Sequence, residues 1–224
     1  MSQDERLLKE RYEAIALTGD VATTACDYQL RELEIDFGLQ HIRDGDRVLD
    51  VGCGPAALMR LLPPNVHYYG IDIAISNPAP NLIEADILHT PISFGGQKFD
   101  IVSAQGVFEY LGDFQLEKFA EIADILKSDG KFLVTYWNFD HRKAYVHKAF
   151  SHVQRLTDFR STLEQYFSVD RCIPVAHNWE HSSPNKPFLR AVNMNINVCI
   201  PLISSLLVVE YFFICSRKTT PART

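Results

Sequence analysis

Residues 47–62 read RVLDVGCGPAALMRLL, and how this stretch is read decides the fold. It opens on Val48-Leu49-Asp50-Val51, a short, mostly apolar run suited to a buried strand. Gly52, Cys53, Gly54 and Pro55 follow as a tight turn. The apolar Leu58, Met59, Leu61 and Leu62 then predict a helix over 56–62. A glycine turn between strand and helix brings bare backbone N–H groups up to a ligand at a helix N-terminus. The chemical question is which ligand.

On either side of this stretch the pattern changes character. Helical periodicity covers residues 3–17 and 26–40, where Leu30, Leu33, Ile35 and Phe37 mark an amphipathic face. After RDGD at 43–46, strands are predicted at 47–51, 67–73, 81–87, 99–105, 130–137, 167–175 and 208–216. Helices are predicted at 114–127 and in two pieces within 141–166. Strands alternating with helices call for a mostly parallel sheet covered on both faces, an α/β doubly wound fold. In such a sheet, ligands sit beyond the carboxyl ends of the strands. Asp50, Asp72, Asp86 and Gln105 all fall at predicted strand ends.

The 224 residues, 46% of them hydrophobic, can bury a full core as one domain over 1–224. A formal net charge of −6 argues against nucleic acid as a partner. Five cysteines, at 26, 53, 172, 199 and 215, include no CxxC pair, the usage of a reduced, cytoplasmic protein. The N-terminal MSQDERLLKERYEAIAL lacks the apolar core of a signal peptide. The segment VCIPLISSLLVVEYFFIC at 198–215 approaches spanning length but holds Pro201 and Glu210. It reads as a short helix near 200–206 followed by a buried strand ending at Ser216, with peripheral lipid contact left open.

Gly52-x-Gly54-x-x-Ala57 satisfies the dinucleotide fingerprint, and Asp72 lies about where a ribose-gripping acid is expected. An NAD(P)-dependent oxidoreductase therefore stands as one reading. Three features oppose it. Asp50 ends the first strand just before Gly52, where a pyrophosphate would be repelled and a cation welcomed. Asp86 ends the third strand with a further acid. A helical segment also precedes the loop, whereas dinucleotide domains often begin at their first strand.

VLDVGCGPA, YGIDI, EADIL, FDIVSAQGVFEYL and GKFLVTYW, in that order, resemble the successive motifs of class I S-adenosylmethionine-dependent methyltransferases. The likeness is good over 47 to about 137. It implies a seven-stranded Rossmann-like sheet, mostly parallel, whose last strand is antiparallel. It also implies roles for residues by position. Gly52, Cys53 and Gly54 would pass under the methionine part of S-adenosylmethionine, and Asp50 would sit near its amino group. Asp72 would take both ribose hydroxyls, a carboxylate being an acceptor for two O–H donors. Ile73 would pack on the adenine face, with Asp86 and Ile87 at its edge. Gln105, Gly106 and Val107 would line the methionine end. Each of these residues also has a plainer reading, as a turn cap or as a glycine needed only for turn geometry. Cys53 reads better as a small side chain in a crowded loop than as a nucleophile.

The same resemblance implies an N-terminal lid. Residues 1–45 would supply it, with Tyr12 and Tyr28 over the cofactor. Residues 138–166 and 176–206 would form substrate-side helices and insertions.

The family often carries His after its fourth strand, where this chain has Phe108-Glu109-Tyr110. A histidine base is therefore absent from that position. Glu109 and Tyr110 stand as candidates to orient the acceptor, and His141 as a candidate base, with His177 and His181 also near the rim. His89 reads as a surface-loop residue. Methyl transfer draws much of its rate from proximity, so a base is not always needed. No carboxylate spacing compels a metal. DHRKAYVHKAFSHVQRL at 140–156, read as a helix, gathers His141, Lys148, His152 and Arg155 on one side, with Arg142, Lys143 and His147 nearby. This is either a solvated face or a receiver for an anionic small-molecule, glycan or lipid-precursor acceptor. A non-catalytic partner protein keeping the same fold is a third reading. Nucleic-acid methylation is disfavoured by the charge and by the lack of an NPPY-type motif.

Overall fold

A computed structural model describes residues 38–75, 77–137, 155–175 and 210–218. His141, Tyr12, Tyr28, His177 and His181 lie outside them, as do the helix expected near 200–206, residues 1–37 of the lid, 138–154 of the first insertion and all of 176–206. So does the basic stretch 140–156 except for its last two residues.

Seven strands form one sheet: β1 Arg47–Val51, β2 His67–Asp72, β3 Leu82–Glu84, β4 Phe99–Ala104, β5 Leu126–Trp137, β6 Phe167–Val175 and β7 Glu210–Arg217. Their spatial order is β3-β2-β1-β4-β5-β7-β6. The first five run parallel, and β7 is antiparallel to both β5 and β6. This is the doubly wound arrangement with an antiparallel last strand. The apolar run ending at Ser216 is indeed a strand, lying between β5 and β6. Among the described residues no helix is long and apolar enough to cross a membrane, which says nothing about strand-built spans.

Alternation along each strand splits the core between the two faces. Leu49, Val51, Ile71, Val102, Phe132, Val134 and Tyr136 share one cluster with helix α1 (Gln115–Ile125) and helix α2 (Leu156–Leu163). Its aromatic centre includes Phe108 stacked on Phe119 at 4.4 Å and Tyr136 stacked on Phe159 at 3.8 Å. In α1, Phe119, Ile122 and Ala123 follow the three- and four-residue spacing that makes one buried stripe. The second cluster, with Val48, Tyr68, Ile101, Leu133, Phe212 and Ile214, also takes in Cys53, Ala56 and Leu58 of the glycine loop. Asp50, Asp72, Ser103 and Thr135 have the same strand parity as this second cluster, so the polar residues share its face.

Several expected boundaries are corrected. The helix read over 56–62 is a single 3-10 turn at Ala57–Arg60. Ala56 before it has a left-handed backbone (φ 56°), which cannot enter an α-helix, and Pro63-Pro64 close it from the other side. The third strand stops at Glu84, so Asp86 and Ile87 lie beyond it; Asp86 caps a turn, its carboxylate accepting the Leu88 N–H at 2.9 Å. Gln105 and Ile73 fall just past their strands. Helix α1 ends at Ile125, where Leu126 turns extended (ψ 138°) and begins β5 with no loop between. Arg155 is extended (ψ 151°) and caps α2, so no helical face runs through it from residue 140.

Candidate functional site

The site is built from the carboxyl ends of β1, β2 and β4 and the turns that follow them. Pairing sets the level of each residue: Asp50 lies beside Gly70 and Ser103, and Asp72 beside Glu84. The two aspartates are therefore on neighbouring strands and one face, two residues apart in height. Both are buried, Asp50 to 7% and Asp72 to 8% exposure.

The glycine loop is not a cradle of bare N–H groups. Gly52 and Cys53 both donate to the Ile71 carbonyl, at 2.8 and 3.3 Å. Gly54 donates to Asp72 Oδ2 at 2.7 Å. Pro55 has no N–H, and Ala56 donates back to the Cys53 carbonyl at 2.8 Å. Every backbone donor from 52 to 56 is thus spent inside the protein. Since the following turn is a single 3-10 turn, the helix N-terminus expected from the sequence is absent as well.

Gly52 must be glycine for two reasons. Its φ is +73°, and a Cβ built there would lie 2.3 Å from Val107 Cγ2. The turn after β4 therefore rests directly on the turn after β1. Gly106 (φ +63°) reverses the chain there, and its N–H donates to the Thr135 hydroxyl at 2.8 Å. Gln105 donates from Nε2 to Ser103 Oγ at 3.3 Å. The segment continues into a 3-10 turn at Phe108–Tyr110, where Glu109 is buried and Tyr110 half-buried. The buried Gln115 of α1 donates from Nε2 to the Phe108 carbonyl at 2.8 Å and pins this turn from beneath.

Asp72 also accepts the Ala74 N–H, at 3.1 Å. Burial raises its carboxyl above the ordinary aspartate value, and the N–H groups of Gly54, Ala74 and Ile73 pull it part of the way back. Asp50 Oδ2 accepts from the Tyr68 hydroxyl at 2.8 Å. Burial, followed by the Asp50 charge, pushes the Tyr68 phenol up so that it stays a neutral donor. The Cys53 thiol is likewise pushed far above its ordinary value, first by burial and then by the charges of Asp50 and Asp72. Neutral at physiological pH and 6% exposed, it packs the loop and is no nucleophile.

Of the residues picked from the sequence, the structure brings together Asp50, Gly52, Cys53, Gly54, Asp72 and Ile73 with Gln105, Gly106 and Val107. Asp86 and Ile87 stand at the β3 side of the same rim, half-buried. Four contributors escaped the sequence reading: Tyr68, Gly70, Glu84 and Thr135. Tyr68 and Gly70 share strand parity with Asp72 in HYYGID, which was a usable signal. A Cβ on Gly70 would lie 2.8 Å from Cys53 Sγ and from Leu82 Cδ2, so its bareness admits the loop. Glu84 accepts the Ile75 N–H at 3.1 Å. Thr135 was visible only as one hydroxyl in an apolar strand.

A family model described as a methyltransferase domain matches residues 23–172. The chain belongs to the class I S-adenosylmethionine-dependent methyltransferases. S-adenosylmethionine is the cofactor of that family, and the donor set present suits it. Buried carboxylates would suit a ligand carrying a sulfonium and an ammonium, which has no phosphate to call for free loop donors. Among solved structures, a chain of the complex between the Haloferax volcanii Trm112 methyltransferase activator and its partner is similar at 17% identity and TM-score 0.64, covering 92% of this chain and 96% of that one. An S-adenosylmethionine-dependent methyltransferase from Archaeoglobus fulgidus is similar at 16% identity and TM-score 0.60, covering 85% and 94%. The mycolic acid cyclopropane synthase CmaA1, solved with S-adenosylhomocysteine, is similar at 15% identity and TM-score 0.58, covering 87% and 86%. At these identities the methyltransferase likeness is one of fold. No curated protein matches the chain in sequence.

Proposed function

We propose that this methyltransferase is an active enzyme that transfers the methyl group of S-adenosylmethionine to a small-molecule, glycan or lipid-precursor acceptor. The observation that carries the reading is the consumption of every loop N–H from Gly52 to Ala56, with Asp72 itself taking the one from Gly54. A pyrophosphate needs such donors free and is repelled by Asp50. A cationic, phosphate-free cofactor needs neither, which removes the support for a nicotinamide dinucleotide.

In this reading the Asp72 carboxylate accepts from the ribose hydroxyls through lone pairs left beside its two N–H bonds. Asp50 faces the amino group of the methionine part. Gly52, Cys53 and Gly54 form the floor, and Gln105, Gly106 and Val107 line the methionine end. Ile73 and Ile87 offer apolar surface to adenine, with Asp86 accepting from its exocyclic amine. The bound cofactor supplies an electrophilic methyl on a positively charged sulfur. Glu109 and Tyr110, on the turn after β4, and His141 are the candidates to orient or deprotonate the acceptor. An anionic acceptor would suit the basic side chains between His141 and Arg155.

Titration calorimetry tests the cofactor half directly: S-adenosylhomocysteine is expected to bind with micromolar affinity, and NADH not at all. The reverse pattern sinks the proposal. Transfer of labelled methyl from S-adenosylmethionine across acceptors of each class tests the other half. A protein that binds the cofactor and methylates none of them is the non-catalytic partner.

A further inference from the structure

We infer that Thr135 is a positioning residue for the methionine end of the cofactor, an inference that rests on the cofactor reading above. Thr135 is fully buried near the end of β5, paired with Phe212 of β7 and flanked by apolar Val134 and Tyr136. Valine has a similar branched shape with no polar atom to satisfy, so a buried hydroxyl here calls for a partner. Its hydroxyl meets the turn after β4, where Oγ1 accepts the Gly106 N–H at 2.8 Å. Gly106 is the left-handed residue that reverses the chain, and Val107 follows it onto Gly52, where only a missing Cβ leaves room. One hydroxyl on β5 therefore holds the β4 turn down on the β1 turn, and the methionine part lies along the joined edge of those two turns in the proposed pose.

The geometry predicts an effect confined to one half of the ligand. Asp72 and Ile73 stand at the end of β2, and Asp86 and Ile87 follow β3, on the far side of β1 from Thr135. Loosening the Gly106–Val107 turn would let the methionine-side wall drift and leave the ribose and adenine contacts in place. Ligands sharing the adenosine half but differing in the amino-acid half should then respond differently.

The experiment compares S-adenosylhomocysteine with 5′-methylthioadenosine, which lacks the amino-acid end, by titration on the full chain. Thr135→Val should weaken S-adenosylhomocysteine about tenfold, as expected for loss of a hydrogen bond with a donor left unpaired, and leave 5′-methylthioadenosine within about twofold. Thr135→Ser, which keeps the hydroxyl, should restore the wild-type ratio. Should Thr135→Val fail to fold, Thr135→Cys, which leaves only a weak acceptor at that place, should show the same selective loss in smaller degree. Equal loss of both ligands, or loss of neither, overturns the inference, because a merely structural threonine predicts one of those two results. A wild-type protein that binds 5′-methylthioadenosine but not S-adenosylhomocysteine overturns it too. Binding of neither ligand removes the cofactor reading and the inference together.

Discussion

The carboxylate of Asp72 reaches across from the end of β2 to accept the N–H of Gly54 at 2.7 Å. One aspartate thus fastens the glycine loop and, in the proposed pose, also receives the ribose. Its two tasks have different consequences on substitution.

Asp72→Ala orphans the N–H groups of Gly54 and Ala74, at about 1–3 kcal/mol per buried donor, offset in part by removal of a buried charge. Cofactor affinity should fall at least about tenfold with the ribose contacts gone. Asp72→Asn keeps an acceptor for the loop and should recover most of the stability without the affinity. Urea unfolding beside S-adenosylhomocysteine titration separates the two effects. Unchanged affinity in Asp72→Ala would refute the ribose assignment.

Acid should act on binding and stability in opposite directions. Burial sets the folded Asp72 carboxyl above the ordinary 3.8, so the charged form costs stability at neutral pH. As pH falls from the raised folded value toward the ordinary one, the folded state binds the proton preferentially and this residue's contribution to stability rises. The ribose hydroxyls, however, favour the carboxylate. Affinity for S-adenosylhomocysteine should therefore weaken on acidification at a higher pH than an ordinary aspartate would dictate. Asp72→Asn should flatten that part of the profile, and an identical pH profile in the variant would remove Asp72 as its source.

Gly52→Ala should destabilise by about 2–4 kcal/mol, combining a left-handed backbone penalty with overpacking against Val107. Adding Val107→Ala removes the side chain that a new Cβ would strike at 2.3 Å. The double variant should recover the steric part and leave the backbone part, a coupling of about 1 kcal/mol or more in a double-mutant cycle. Strict additivity would mean that the two turns do not press on one another.

Cys53 should resist alkylation. Its thiol is buried and pushed far up by that burial and by Asp50 and Asp72, so very little thiolate exists near pH 7. Peptide mapping after brief iodoacetamide treatment should find Cys53 labelled at least about tenfold more slowly in the native than in the denatured protein. Cys53→Ala should retain cofactor binding. Rapid native labelling would return Cys53 to the list of reactive groups.

How much of this was legible in the sequence differs from element to element. The mostly apolar runs in RVLDV, HYYGID and FDIVSA placed β1, β2 and β4 within a residue or so of their observed ends, because a strand buried on both faces has few ways to be written. The helix at 56–62 was misread because its apolar spacing was right while Ala56 took a left-handed conformation that no periodicity records. Asp50 and Asp72 do fall at the ends of their strands, but Asp86 lies two residues past its own, in a turn it caps itself.

The order of the strands along the chain, the acids near their ends and the glycine turn after β1 were set by the sequence alone, since propensity, patterning and charge act over a few residues. Only the tertiary structure decided what those residues face. The pairing of β1 with β2 brought Tyr68 to Asp50 and Asp72 to Gly54, each across 18 positions, and the pairing of β4 with β5 brought Thr135 to Gly106 across 29. Local pattern cannot specify such partners, because strand register is fixed by the packing of the whole sheet. In this protein register determines whether the N–H groups of a glycine loop stay open for a phosphate or close on the protein's own acceptors, and here they close.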